Sequence, residues 1–174
     1  MFQVGDLIIY GNEGVCRVES IGKPEMSDLV DMGSDRVYYT LDPLYKQGKV
    51  YTPVDTPVFM RHIITKEDAM ALIKRIPEID DSIFENRNIR VLSELYQDTM
   101  KSHECADLVR VVKAVDRKRE IMIGKGKKLG QVDEKFYKKA SDLLHGEFAV
   151  VLGIPKEEVG AFIQREVSRL SEEQ

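Results

Sequence analysis

The spacing of apolar residues changes once along this chain, at Thr65, and that change limits what the chain can fold into. Before it, apolar residues come in short runs and alternations suited to extended backbone. After it, they recur every three or four positions, as on one face of a helix. Leu7-Ile8-Ile9-Tyr10 reads as a first short strand. Gly11-Asn12-Glu13-Gly14 follows as a turn whose glycines can take positive φ. Val15 to Ile21 then alternates, with Val15, Arg17 and Glu19 on one face and Cys16, Val18 and Ser20 on the other. Gly22 to Asp35 is polar and reads as a loop. Arg36-Val37-Tyr38-Tyr39-Thr40-Leu41 is rich in β-formers. Gln47-Gly48 turns the chain, and Lys49-Val50-Tyr51-Thr52 returns as its hairpin partner. Pro53 fits a sheet edge or a strand end. A last strand spans Val58 to His62. Four or five short strands in this length predict a small, strongly bent barrel.

From Thr65 the signals are helical. Thr65-Lys66-Glu67-Asp68 is a capping pattern, a hydroxyl followed three residues later by a carboxylate. Ala69, Leu72, Ile73 and Ile76 continue it, and Pro77 ends the helix because a residue before proline avoids the α region. A second helix is predicted from about Asn86 to Met100, with Ile89, Leu92, Leu95 or Tyr96, and Thr99 inward. A third runs from about Glu104 to Met122, with Cys105, Leu108, Val109, Val112 and Val115 inward. Gly124-Lys125-Gly126-Lys127-Lys128 breaks it. A fourth begins near Val132, with Phe136, Ala140, Leu143, Leu144 and Val151 as its apolar stripe. Gly153 stops that helix and Pro155 opens the last, lined by Val159, Phe162 and Ile163. The chain is therefore read as α+β, a β-module over residues 1–64 followed by an all-α bundle of about five helices over residues 65–174.

No apolar run reaches the ~18 residues that span a bilayer, and the first residues lack a basic and apolar leader pattern. The expected location is the cytoplasm, with no membrane partner. Cys16 and Cys105, far apart in sequence, read as reduced and buried. Neither they nor His62, His103 and His145 have metal-ligand spacing. The Gly124–Lys128 loop fails the phosphate-loop pattern, since Lys128 stands where Ser or Thr is required and the loop follows a helix. No nucleophile or metalloprotease motif is present. The expectation is a non-enzyme with no catalytic residue, cofactor, metal or small-molecule substrate.

Charge points elsewhere. The net charge of −4 hides an uneven distribution. Met1 to Ile64 holds 6 Lys/Arg against 9 Asp/Glu, whereas Lys101 to Lys139 holds 12 against 6. Arg117, Lys118 and Arg119 crowd the end of the third helix, Lys125, Lys127 and Lys128 occupy the next loop, and Lys135, Lys138 and Lys139 lie on the fourth helix. Such groups either complement a helix dipole or contact phosphates without reading sequence. Arg87 and Arg90 on the second helix can add to them. In the β-module, Arg36, Tyr38, Tyr39, Lys49 and Tyr51 share one hairpin, and an edge of that kind can pair with another protein's sheet.

Two stretches, in order, resemble the CarD family of bacterial transcription regulators. Phe2-Gln3-Val4-Gly5-Asp6-Leu7-Ile8-Ile9-Tyr10, then Gly14-Val15-Cys16-Arg17-Val18 and Ile21, is similar to that family's opening, a module shared with the transcription-repair coupling factor. Thr52-Pro53-Val54 sits where the family has a proline after its last long strand. Lys128-Leu129, Asp133-Glu134-Lys135, Ala140, Leu143-Leu144, Glu147-Phe148-Ala149 and Leu152-Gly153-Ile154-Pro155 resemble the end of stand-alone members. The likeness covers about Met1 to Ile163. It implies a Tudor/SH3-like β domain that binds the RNA polymerase β subunit. It also implies a helical domain that meets promoter DNA at the upstream edge of the melted region, in the minor groove and on the phosphates with weak sequence specificity, and stabilises the open complex. On this reading Lys23, Arg36, Tyr38, Lys49, Tyr51 and Pro53 face polymerase. Arg87, Arg90, Arg117, Lys118, Arg119, Lys125, Lys127 and Lys128 face DNA.

The sequence departs from the family at one point. The resemblance implies a tryptophan wedged into the minor groove, and this chain has no tryptophan. The corresponding region reads Asp81-Ser82-Ile83-Phe84-Glu85-Asn86, so Phe84, or else Ile83, is the expected substitute, without an indole donor. The alternative expectation is a polymerase-bound protein adaptor whose helical domain does not touch DNA.

Overall fold

The computed structural model describes residues 1–23 and 36–174. The expected loop at Gly22–Asp35 thus falls, over residues 24–35, outside the described residues. The chain divides into two compact units, Met1–Ile63 and Ile64–Gln174.

In the first unit the strands are β1 (Leu7–Tyr10), β2 (Gly14–Gly22), β3 (Tyr38–Pro43), β4 (Val50–Pro53) and β5 (Met60–His62), with a 3-10 turn at Gly11–Glu13. They form one antiparallel sheet in the order β4-β3-β2-β1-β5. The sheet curls strongly. β1 and β4 stand three places apart, roughly 14 Å if the sheet were flat, yet the Tyr10 hydroxyl donates to Thr52 Oγ1 at 3.1 Å. A register shift between Val18 and Ser20 supplies part of the bend. It also changes which residues face inward. Cys16 and Val18 are buried as expected, but Ser20 is exposed and Ile21 packs on the core instead, because the extra residue at the bulge reverses the alternation beyond it. The core of this unit is Ile8, Cys16, Val18, Tyr39 and Leu41. The turn into β2 needs glycine at Gly11. Its φ is +45°, and a Cβ there would lie 3.0 Å from Val58 Cγ1.

The second unit holds α1 (Lys66–Arg75), α2 (Ile89–Met100), α3 (Cys105–Gly124), α4 (Gln131–Leu152) and α5 (Val159–Glu172). The α1 cap forms as the sequence predicts. Thr65 Oγ1 accepts from the Asp68 amide at 3.1 Å, and the Asp68 carboxylate accepts from the Thr65 amide. α1 ends beside Pro77, but not for the expected reason: Ile76 stays in the α region (φ −50°, ψ −45°), the chain tightens into a 3-10 turn over Ile76–Glu78, and it leaves helical backbone only at Ile79. Gly153, with φ of +68°, ends α4 in the left-handed conformation. α2 buries Leu92 as expected and takes Tyr96 rather than Leu95, but leaves Ile89 outside. Its buried residues are Leu92, Tyr96 and Met100, while Ile89 is 67% and Leu95 38% exposed. The large side chains at i, i+4 and i+8 take the inner face, which turns Ile89 outward. The core joins these residues to Ala69, Ile73, Val109, Val111, Val115, Phe136, Ala140, Leu144 and Phe148, among others.

Candidate functional site

In the first unit the residues expected to face a protein partner gather around the β3–β4 hairpin. Lys49 reaches Glu19 at 2.8 Å and Asp42 at 3.2 Å, all on the sheet's outer surface. The hydrogen bond to Glu19, despite some desolvation, holds its ammonium above the ordinary lysine range. Arg36 pairs with Asp55 at 3.3 Å. Tyr38 is buried, although it lies on the strand face opposite the core residues Tyr39 and Leu41, so its ring offers little surface. Tyr51 and Pro53 are half-buried on β4, where Pro53 pairs with Tyr38 on the edge strand. Lys23 is exposed at the end of the described part of the β2 connection. Cys16 is fully buried, and desolvation pushes its thiol up to about 11, which keeps it protonated and inert near neutrality.

In the second unit the cations on and around α3, including Arg110 and Lys113 that the sequence did not single out, divide into two groups. Arg110, Lys113 and Arg117 lie on one helical face by their spacing, and with Lys118 they hold the segment that joins α1 to α2. Arg110 donates to the Ser82 carbonyl at 3.1 Å, reaches Asp80 at 3.5 Å and lies 4.6 Å over the Phe84 ring. Lys113 Nζ donates to the Ile76 and Ile79 carbonyls, both at 2.6 Å. Arg117 pairs with Asp81 at 2.8 Å. Lys118 donates to the Phe84 carbonyl at 2.8 Å and to Asp133 at 3.1 Å. Asp133 is itself buried and accepts a second bond from the Tyr96 hydroxyl. Burial first, then Asp133, pushes that phenol far above its ordinary range. Arg119 turns to the other side, bonding Asp116 and Glu134 and stacking 4.5 Å over Tyr137. The cluster at 117–119 is thus consumed largely inside the unit.

Phe84 is placed in the core. It is 8% exposed, with its ring centroid 4.6 Å from Tyr96, which stacks in turn on Phe136 at 5.0 Å. As held here it is one end of a three-ring stack capped by Arg110, rather than a side chain presented to a ligand. Ile83 is half-buried.

The second group is outward. Lys125, Lys127 and Lys128 are exposed in the loop after α3, as is Arg87 before α2. Arg90 is exposed and makes an i,i+4 pair with Glu94. The loop is hydrogen-bonded to the helix it ends. The Gly126 amide donates to Ile123 O at 2.9 Å and the Lys127 amide to Met122 O at 2.8 Å, with Gly126 at φ of +68°. This is a Schellman closure, and it fixes the direction in which the lysines leave the helix. A feature that periodicity alone did not flag lies beside them: Ile121 is 37% and Ile123 67% exposed.

A cleft of about 210 Å³ lies between α3, α4 and α5, lined in part by Asp116, Tyr137, Ser141 and His145. It falls below the ~300 Å³ at which ligand pockets begin. Among the described residues no group of three or more His, Cys, Asp or Glu is placed to hold a metal, and no helix is long and apolar enough to cross a membrane.

Residues 2–64 match the family model of the CarD-like/TRCF RID domain. No curated protein matches the chain. The match spans the five-stranded unit and stops where the helices begin. The first unit is thus similar to the CarD-like/TRCF RID domain, an RNA polymerase-interacting domain, which points to a transcription-associated function.

Proposed function

We propose that this chain, built on a polymerase-interacting β unit, docks on the β subunit of RNA polymerase and uses its helical unit to contact promoter DNA at the upstream edge of the bubble, stabilising the open complex. The observation that carries the proposal is the family match over residues 2–64. The docking surface is assigned to the β3–β4 hairpin and its edge, with Tyr51, Pro53, Lys49, Arg36 and Lys23 as its accessible groups and Tyr38 paired with Pro53 across the strands. The location follows from the partner: the nucleoid, through polymerase.

DNA contact is supported by the cations left outward: Arg87, Arg90, Lys125, Lys127 and Lys128. Docking on polymerase lets these groups act at modest intrinsic affinity, because tethering raises their effective concentration beside the duplex. Arg117, Lys118 and Arg119 then act one step back, fixing the segment and helix ends from which the outward cations project. Phe84 fills the same supporting role.

The test uses the full chain with polymerase on a labelled promoter. The tagged chain is expected to retain polymerase, Tyr51→Ala and Lys23→Glu to weaken that retention, and the chain to lengthen the lifetime of competitor-challenged open complexes. Absence of any association with the β subunit would sink the proposal. The second reading, a protein adaptor without DNA contact, is favoured by the internal pairing of Arg117, Lys118 and Arg119. It predicts polymerase retention with an unchanged upstream footprint.

A further inference from the structure

Three helices of the second unit each turn one face to the cleft of about 210 Å³ between α3, α4 and α5. Val112 and Asp116 meet there from α3, Tyr137, Ser141 and His145 from α4, and Gly160 from α5, the α3 and α4 residues standing four apart along one helical face. Leu144 and Ile163 add apolar wall. The charged groups of the cleft are already engaged. Asp116 pairs with Arg119 at 2.9 Å, and Lys113 Nζ donates to the Ile76 and Ile79 carbonyls. The Ser141 hydroxyl and the His145 imidazole, one helical turn apart, make no side-chain hydrogen bond among the described residues. Both reach the open cleft, since no polar side-chain atom described is buried without a partner. Gly160 keeps the imidazole uncovered. A Cβ there would lie 3.6 Å from His145 Cε1 and 4.0 Å from Nε2, ordinary contacts that alanine would meet, and its φ is not left-handed. Neither space nor backbone demands a glycine at this position, and glycine weakens a helix relative to alanine. Its effect is to leave the edge of His145 open.

We propose that this cleft binds a small neutral nitrogen heterocycle of one or two rings, the class of the free nucleobases, held between Val112, Leu144 and Ile163 and hydrogen-bonded at its edge to Ser141 and His145. Size, charge and hydrogen bonding each select that class. The volume is below the ~300 Å³ that drug-sized ligands need, yet above the ~150 Å³ of a cavity that takes up benzene. One or two fused rings fit, and a nucleotide does not. An anion would meet the Asp116 carboxylate, and a cation would meet Lys113 and Lys156, whose charge already bears on His145. Burial first and then Lys156, with Asp142 opposing, hold His145 below its ordinary value, so near neutrality its ring offers one donor and one acceptor. The Ser141 hydroxyl also donates and accepts. Ring nitrogens and N–H groups complement such an edge, whereas a hydrocarbon of equal size leaves it unpaired. A metal ion is a poor fit, because among the described residues no three His, Cys, Asp or Glu gather to hold one. The site uses none of the outward cations assigned above to DNA and stands independently of that reading.

The experiment titrates the full, isotope-labelled chain with adenine, uracil, toluene and benzoate, following the backbone amide at position 160 and the His145 ring protons by NMR. Adenine or uracil is expected to shift both signals saturably, with a dissociation constant of about 1 mM or tighter, as suits a ligand of about ten heavy atoms. Ser141→Ala and His145→Phe should each weaken that binding about 2- to 10-fold, the worth of one hydrogen bond. Gly160→Val and Ser141→Val fill the cleft from two different helices. Whichever of them keeps the helical circular dichroism and melting of the parent should abolish the saturable shift. No saturable shift with either base up to about 5 mM, five times the weakest constant expected, overturns the proposal and leaves the cleft to water. A shift undiminished in a folded filling variant overturns it as well. Toluene bound as tightly as the bases would show a merely apolar cavity, and benzoate bound more tightly than they are would show an anion site; either result also overturns it.

Discussion

Replacing Phe84 with alanine should destabilise the helical unit by about 3–5 kcal/mol, the range for deleting a buried phenylalanine. The magnitude follows from where the ring sits. Phe84 is 8% exposed, so nearly the whole side chain leaves water on folding. Its loss removes one end of the Phe84–Tyr96–Phe136 stack and opens a cavity beneath the Arg110 guanidinium, which loses the ring it covers. Relaxation is restricted because Lys118 holds the Phe84 carbonyl and Arg110 holds the Ser82 carbonyl, fixing the backbone on both sides. For a unit of this size that range corresponds to a fall in melting temperature of roughly 12 °C or more. The assay is urea and thermal unfolding of the full chain, followed by circular dichroism at 222 nm, where the helical unit dominates the signal. Phe84→Leu should recover more than half of the loss, since most of the apolar volume returns. If Phe84→Ala unfolds within about 0.5 kcal/mol of the parent, as surface substitutions do, the ring is not a core element and the placement argued here is wrong. A stable Phe84→Ala protein with a shortened open-complex lifetime would instead restore the phenylalanine as the DNA-contacting group.

Lys118→Met should cost about 3–5 kcal/mol by the same unfolding assay, because it leaves Asp133 buried with its countercharge gone; the double variant Lys118→Met/Asp133→Asn should recover part of that loss. His103, which turns the chain between α2 and α3 at φ of +56°, holds a conformation that favours glycine. His103→Gly should therefore raise stability by roughly 1 kcal/mol, and a fall would show that the imidazole's own contacts outweigh the backbone strain. His145 lies below its ordinary value of 6.5, chiefly through burial and then through Lys156, with Asp142 opposing. A base whose folded value is depressed binds fewer protons folded than unfolded. Its contribution is therefore constant above about pH 7 and is lost as pH falls through 6.5 toward its folded value. Unfolding midpoints should fall over that window, and His145→Gln should remove the part of the slope belonging to this residue.

The sequence was informative where local chemistry decides the structure, and less so where distant partners do. The Gly11–Gly14 turn, the Thr65 cap and the stop at Gly153 each depend on a few adjacent residues, and all formed; α1 also ends beside Pro77, but by tightening into a 3-10 turn with Ile76 still in the α region. The face of β2 beyond Glu19 was misread because a bulge depends on the strand opposite, and nothing between Val18 and Ile21 announces it. The phase of α2 stays open between Leu95 and Tyr96 in the sequence, and Ile89 reads as inward, because apolar residues at 89, 92, 95, 96 and 100 permit neighbouring rotations; packing of Tyr96 between Phe84 and Phe136 selects one. The basic character of α3 was visible, but its destination was not. Lys113 and Lys118 bond backbone carbonyls 34 to 37 residues away, and a carbonyl acceptor leaves no mark in the sequence. What distinguishes an outward lysine at 127 from an inward one at 118 is the arrival of the α1–α2 connection, a tertiary event.

The two units have cores with no residue in common, one built on Ile8, Val18 and Leu41 and the other on Tyr96, Phe136 and Phe148. Damage in one need not spread to the other. If the proposed division of labour holds, a copy whose helices have melted keeps the β unit that occupies polymerase while delivering nothing to the promoter. In a cell, such copies would behave as competitors of the intact protein, so severe lesions among the helices would be felt even beside a healthy allele, whereas lesions in the barrel would be silent there.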